Sequence, residues 1–142
     1  MCKFLCFAIS SDGRSSRVLS AFASQGLPLQ QLAAHARAAD FPFEGVFFST
    51  AGHCDCGTPI GSGLVTHSTT LNAYRFAMIE ALDKSQASSI AVYHAWGESW
   101  ENPRLALAVE TIQSPDEFTI ERLAHLEPNT ILVLPNWLAP SS

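Results

Sequence analysis

Short apolar stretches, separated by turn residues, divide this chain into strands and helices. Residues 2–10 are apolar on both faces, which is typical of a strand buried inside a sheet. The runs at 45–50 and 90–96 are shorter strands of the same kind, each bounded by turn residues. Two further strands are predicted at 104–112 and 130–134.

Apolar residues at helical spacing predict helices between these strands. The first helix carries Val18 and Phe22 on one face and ends at Gly26. Pro28 begins a second helix, which ends near Phe41. Its apolar face consists of Leu29, Leu32, Ala33 and Ala36. A third helix follows Ser68, and its long apolar face consists of Leu71, Tyr74, Met78, Ile79 and Leu82.

A fourth helix has the clearest start signal in the chain. Ser114 at the N-cap, Pro115 at the first helical position and Glu117 at the third form a capping box. The predicted order is therefore β-α-α-β-α-β-β-α-β. We expect a single α+β domain over residues 1–142, built on a mixed β-sheet.

Composition excludes several classes of protein. Hydrophobic residues make up 47% of the chain and charged residues 15%. A disordered protein is not expected, because disordered chains have low hydrophobicity and high charge. The formal charge is −5 and the 8 lysines and arginines form no basic cluster, so a nucleic-acid partner is not expected. No run approaches the roughly 20 apolar residues of a membrane span, so no membrane partner is expected.

The opening residues and the cysteine count predict a cytoplasmic protein. The first apolar run is short, and no clear small-residue cleavage site follows it, so a first strand fits better than a signal peptide. Four cysteines are too few for a disulfide scaffold in a chain of this length. In a reducing compartment they are expected to be free thiols or metal ligands.

The run His53-Cys54-Asp55-Cys56 contains the main candidates for metal binding or thiol redox chemistry. Two thiols, an imidazole and a carboxylate are adjacent, and a glycine lies on each side. These are the side chains that bind transition metals or carry thiol redox chemistry. The flanking glycines favour a tight turn, in which both sulfurs can converge on one ion. The Cys-x-Cys spacing differs from the usual Cys-x-x-Cys of zinc knuckles.

The other two cysteines are expected to differ in role. Cys2 and Cys6 lie about 13 Å apart along one strand, too far to bind one ion together. Cys2, at the end of the strand, is the better candidate for a site with Cys54 and Cys56. Cys6 is predicted to be a core thiol.

Asp55 and His94 are additional candidates. Asp55 can orient an imidazole from outside the ligand shell, and His53 is either a ligand or a base that activates a neighbouring thiol. His94 lies near the end of its predicted strand, beside Glu98. It is either a further ligand, if the strands are neighbours, or a structural histidine.

The segment from His53 to Gly61, with Met1-Cys2 at the start, resembles a group of bacterial proteins without an assigned function. They are similar in opening with Met-Cys and in carrying His-Cys-Asp-Cys-Gly-Thr, then an aliphatic residue and a glycine, after a strand. The resemblance implies a site at these residues and no particular reaction. The Met-Cys opening also resembles that of class II glutamine amidotransferases, which implies a nucleophilic Cys2. However, Gly52-His53 is not followed here by the threonine and arginine of those enzymes.

The leading hypothesis is a Cys/His transition-metal site, with zinc as the expected ion. Cys54 and Cys56 would be thiolate ligands, and His53 and Cys2 would complete the shell. Four protein ligands would make the site structural, and three plus water would make it catalytic. Both remain open, so the sequence does not decide whether the protein is an enzyme.

Two other functions remain open. The net acidity and the aromatic residues Trp96, Trp100 and Trp137 suit an interaction module of the inhibitor or immunity type, with a protein partner. A thiol redox protein using Cys54 and Cys56 is the third hypothesis.

Overall fold

One mixed β-sheet runs through the part of the chain that the computed structural model describes, which is residues 2–32, 42–50, 55–97 and 108–137. Its strands are β1 (Cys2–Ile9), β2 (Leu29–Gln31), β3 (Val46–Thr50), β4 (Ser89–Gly97), β5 (Ala108–Thr111) and β6 (Thr130–Pro135). The helices in these residues are α1 (Ser15–Ser24), α2 (Ser68–Ser85) and α3 (Ile120–Ala124). The spatial order of the strands is β2-β3-β1-β4-β6-β5. Among the described strands only β5 and β6 pair in parallel, so the predicted α+β class with a mixed sheet is confirmed.

Strand β1 lies at the centre of the sheet, between β3 and β4. It pairs with β4 along its whole length, from Cys2 opposite Gly97 to Ile9 opposite Ile90. Its pairing with β3 is shorter and ends at Cys6, opposite Ser49. Among the described residues, β3 therefore makes no pairs with the first half of β1.

The helices cover one face of the sheet. Leu5, Phe7 and Ile9 point toward them from β1 and belong to the main hydrophobic core. Phe22 of α1 and Met78 of α2 are buried in the same core. On the opposite face, a smaller cluster contains Cys6, Ala8, Phe43, Phe47, Ala91, Tyr93 and Ile131. None of the described helices has the length and hydropathy needed to cross a membrane.

The prediction of a helix after Pro28 is wrong at its start. Leu29–Gln31 forms β2, which pairs with Phe48–Thr50 of β3. Two apolar residues three positions apart suit a helix or a strand equally, and the hydrogen bonds offered by β3 decide between them. Residues 33–41, where the predicted helix would continue, lie outside the described residues.

The fourth helix begins later than the capping box predicts. Pro115–Glu117 forms a 3-10 turn, and Ser114 makes no side-chain cap bond there. The Glu117 carboxylate accepts a hydrogen bond from the amide of Gln113 instead. Helix α3 has Thr119 as its N-cap, whose hydroxyl accepts from the Arg122 amide. The cap signal therefore marks a turn that precedes the helix.

Candidate functional site

The structure describes part of the predicted cysteine cluster. Asp55 and Cys56 are described with their side chains, and Cys2 is described by its backbone. His53 and Cys54 lie outside the described residues. Among the described residues, no group of three or more His, Cys, Asp or Glu side chains is placed to hold an ion together.

Asp55 and Cys56 take the place of β3 along the first half of β1. The Asp55 amide donates to the Lys3 carbonyl at 2.7 Å. The Lys3 amide in turn donates to Sγ of Cys56 at 3.4 Å. These bonds satisfy β1 backbone groups that β3 leaves unpaired, as a buried strand requires. The loop of residues 55–63, which we call the thiol loop, is therefore held against the central strand at its start.

The Asp55 carboxylate holds the loop in this position through two hydrogen bonds. Oδ2 accepts from the Leu5 amide at 2.8 Å, and Oδ1 accepts from the Thr50 hydroxyl at 2.6 Å. One side chain thus joins β1, the end of β3 and the loop that follows. In the described residues its contacts are structural, and its predicted role in orienting an imidazole stays a prediction.

Sγ of Cys56 is available for chemistry, and that of Cys6 is not. Cys56 is exposed, and its sulfur accepts a hydrogen bond from the Lys3 amide at 3.4 Å. Cys6 is fully buried, and burial raises the pKa of its thiol to about 12. The predicted core role of Cys6 is confirmed.

The Cys2 backbone lies close to the Cys56 sulfur, because the amide of the next residue, Lys3, contacts that sulfur. The Lys3 amide nitrogen is about 2.4 Å from the Cys2 Cα by standard bond geometry. Since that nitrogen is 3.4 Å from Sγ of Cys56, this sulfur lies within about 6 Å of the Cys2 Cα. The fold thus brings together the backbone of residue 2 and the thiol of residue 56, which are distant in sequence.

Lys3, which was not among the predicted site residues, is buried beside the loop. Its side chain is only 4% exposed, and Nζ donates to the Ile60 carbonyl at 2.5 Å. Burial lowers the pKa of Lys3, while the negative charges of Asp55 and Cys56 oppose that shift. The signal was present in the sequence: Lys3 shares the inward face of β1 with Leu5 and Phe7, where a charge is unusual.

His94 is held as a structural histidine on the far side of β1. It lies opposite Leu5 in β4, so the central strand separates it from Asp55 and Cys56. Its ring is 1% exposed, and Nε2 donates to the Leu126 carbonyl at 2.6 Å. Nδ1 has no hydrogen-bond partner among the described residues. Burial is the main cause that lowers the pKa of His94.

The loop after Cys56 continues over His94 to helix α3. The Gly61 amide donates to the Leu123 carbonyl and the Gly63 amide to the Ala124 carbonyl, at 2.9 and 2.7 Å. A side chain at position 61 would overlap the His94 imidazole, so the loop needs glycine there. The thiol loop is therefore anchored at both ends, on β1 and on α3.

Of the three tryptophans predicted to be exposed for partner binding, the structure describes Trp96 and Trp137. Trp96 is 50% exposed at the end of β4. Trp137 is partly buried and packs against the main core. Trp100 lies outside the described residues.

Comparison with known proteins gives no match: no family model, no curated protein and no solved structure is similar to this chain. The resemblance to bacterial proteins with the His-Cys-Asp-Cys motif therefore stays a prediction. Function is inferred from the geometry of the loop itself.

Proposed function

We propose that this protein binds a transition-metal ion, most favourably zinc, at the loop containing His53, Cys54 and Cys56, with Cys2 as the further ligand. The observation that carries the proposal is the hydrogen bond from the Lys3 amide to Sγ of the exposed Cys56. Donors to a sulfur stabilise its thiolate form, and the thiolate is the form that binds metal.

The position of the loop supports Cys2 as a ligand. The Cys2 Cα lies within about 6 Å of Sγ of Cys56, and this spacing is compatible with two zinc–sulfur bonds of about 2.3 Å to one ion. When bound, zinc would draw the loop and the start of β1 together. We also propose a cytoplasmic location, because reducing conditions there keep thiols free.

Elemental analysis of protein purified without added metal tests this proposal. We expect a stoichiometric transition metal in the wild-type protein and loss of most of it in Cys56→Ser. Cys6→Ala is the matched control, because it removes a thiol from the core and should leave the metal content unchanged. Wild-type protein without stoichiometric metal, in which the exposed Cys56 thiol reacts freely with a mild titrant, would contradict the proposal.

A second candidate function, a reactive or redox-active thiol, is favoured by the charge of Lys3 near Cys56. An exposed cysteine beside a cation is the environment in which thiolates form at neutral pH. Alkylation rates of metal-free protein test it. Rapid alkylation of Cys56 near pH 7 together with reversible oxidation would support it, and alkylation as slow as that of an unfolded control would exclude it.

A further inference from the structure

Strand β5 forms one edge of the sheet, and no described strand lies beyond it. In a parallel pair, the backbone groups of alternate residues bond to the neighbouring strand. The amides of Ala108 and Ile112 donate to carbonyls at the two ends of the pairing with β6, at 3.1 and 2.9 Å. The amide and carbonyl groups of Val109 and Thr111 therefore point away from β6. Of these four groups, the Thr111 carbonyl accepts a long bond from the Gln113 side chain, at 3.4 Å.

The side chains of β5 leave this edge accessible. All four residues of the strand are exposed, and Val109 is 49% exposed although it is apolar. The strand contains neither a proline nor a lysine, two residues that commonly protect edge strands from pairing. An edge of this kind is a template to which an extended segment of another chain can add.

An open cavity of about 410 Å³ adjoins the end of β5. It is lined by Thr111, Ile112, Gln113, Glu117 and Arg122. The Arg122 guanidinium is paired with the Glu110 carboxylate at 2.7 Å, whereas no described cation pairs with Glu117. One oxygen of Glu117 accepts from the Gln113 amide at 2.8 Å. The uncompensated charge in the cavity is therefore negative.

The charges around the edge indicate what kind of chain can occupy it. Residues 108–124 contain four carboxylates and one guanidinium. A second copy of this chain would bring the same excess of negative charge to the contact, and like charges at an interface are unfavourable. A basic segment is complementary both to this edge and to the formal charge of −5 on the whole chain.

We propose that the outer edge of β5 binds an extended, basic segment of a partner protein. The segment adds a strand through hydrogen bonds with Val109 and Thr111, and one of its lysine or arginine side chains enters the cavity beside Glu117. Backbone pairing supplies affinity in this mode of binding, and the side-chain pocket supplies specificity. The inference is independent of the proposed metal function, because β4 and β6 separate β5 from β1.

Fluorescence polarisation of a labelled peptide with the full chain tests the proposal. The probe is a peptide of alternating valine and lysine, about eight residues long, which is the length of an ordinary strand. We expect it to bind, and we expect the same peptide with glutamate in place of lysine not to bind. The lysine peptide with an N-methylated backbone keeps its charge but cannot pair, so it should not bind either. Amide hydrogen exchange of Val109 and Thr111 should slow in the complex.

Two variants of the protein separate backbone pairing from charge. Val109→Pro removes an outward donor and leaves the bonds to β6 in place, so it should bind the lysine peptide about 5- to 30-fold more weakly. Val109→Ala retains the donor and is the matched control. Glu117→Gln should bind about 2- to 5-fold more weakly, as expected for an exposed ion pair. Asp83→Asn, at an exposed position of α2, changes the net charge equally and should bind as the wild type does.

Three results would overturn the proposal. The lysine peptide fails to bind, the N-methylated peptide binds equally well, or the wild-type protein is a dimer that Val109→Pro converts to a monomer. The last result would assign the edge to a second copy of this chain. If Val109→Pro does not fold, hydrogen exchange in the wild-type complex decides, and unchanged exchange of Val109 and Thr111 rejects pairing at β5.

Discussion

At the scale of single residues, a few side chains determine where the thiol loop lies. Lys3 contacts it through its carbonyl, its amide and its amine, and His94 lies beneath Gly61 on the other side of β1. The sequence predicted that Cys6 would be buried, because it falls in the middle of an apolar strand. It did not reveal the role of Lys3, which depends on contacts with residues more than 50 positions away.

Gly61 tests the packing of the loop on His94. We expect Gly61→Ala to lower the free energy of unfolding by about 3 kcal/mol, from overlap with the imidazole and from the left-handed backbone at φ +73°. Gly63→Ala is the matched control: its φ is +78° but no atom lies within 4 Å of the added Cβ. It should cost only about 1 kcal/mol. Equal losses in urea denaturation would show that the contact with His94 does not matter.

His94 also predicts how stability depends on pH. Because the fold lowers the pKa of this histidine, the unfolded chain binds its proton more readily than the folded one. The hydrogen bond to the Leu126 carbonyl opposes this shift, the nearby charge of Lys3 acts in the same direction as burial, and Glu127 opposes the shift. We therefore expect stability to fall as the pH is lowered through about 6.5, the ordinary pKa of histidine.

Denaturation curves between about pH 7 and about pH 5 measure this dependence. His94→Gln should show a smaller slope, since glutamine retains a donor for the Leu126 carbonyl and does not titrate. The exposed His125→Gln should keep the wild-type slope. A slope that His94→Gln leaves unchanged would contradict the prediction.

At the scale of elements, the uncovered edge of β1 explains why Asp55 and Cys56 lie where they do. In the described residues the pairing of β3 with β1 ends at Ser49, and Asp55 makes the next hydrogen bonds to β1, at Lys3 and Leu5. The sequence predicted β1, β3, β4 and β6 because each is a continuous apolar run. It missed β2, since three residues on an edge carry no such pattern and depend on β3 for pairing.

Asp55→Asn tests the contribution of this connection. The amide cannot accept from both Leu5 and Thr50 as the carboxylate does, so we expect a loss of about 1–3 kcal/mol in the free energy of unfolding. Asp116→Asn, at an exposed position of the 3-10 turn, removes the same charge and should be nearly neutral. Chemical denaturation compares the two variants, and equal stability would mean that Asp55 does not fasten the loop.

At the scale of the whole molecule, the sequence predicted the α+β class and the mixed sheet, because the order of strands and helices follows from apolar spacing. The spatial order of the strands was not predictable in the same way. It places β1 between β3 and β4, and so decides that Cys56 and His94 lie on opposite sides of one strand. The order of residues along the chain does not indicate that β1 lies between Cys56 and His94.

X-ray absorption at the metal edge of the purified protein tests the central claim most directly. If Cys56 and its neighbouring thiols bind zinc, the spectrum should contain zinc–sulfur distances of about 2.3 Å, and this signal should weaken in Cys56→Ser but not in Cys6→Ala. A bound ion surrounded only by nitrogen and oxygen at about 2.0–2.2 Å would contradict the claim.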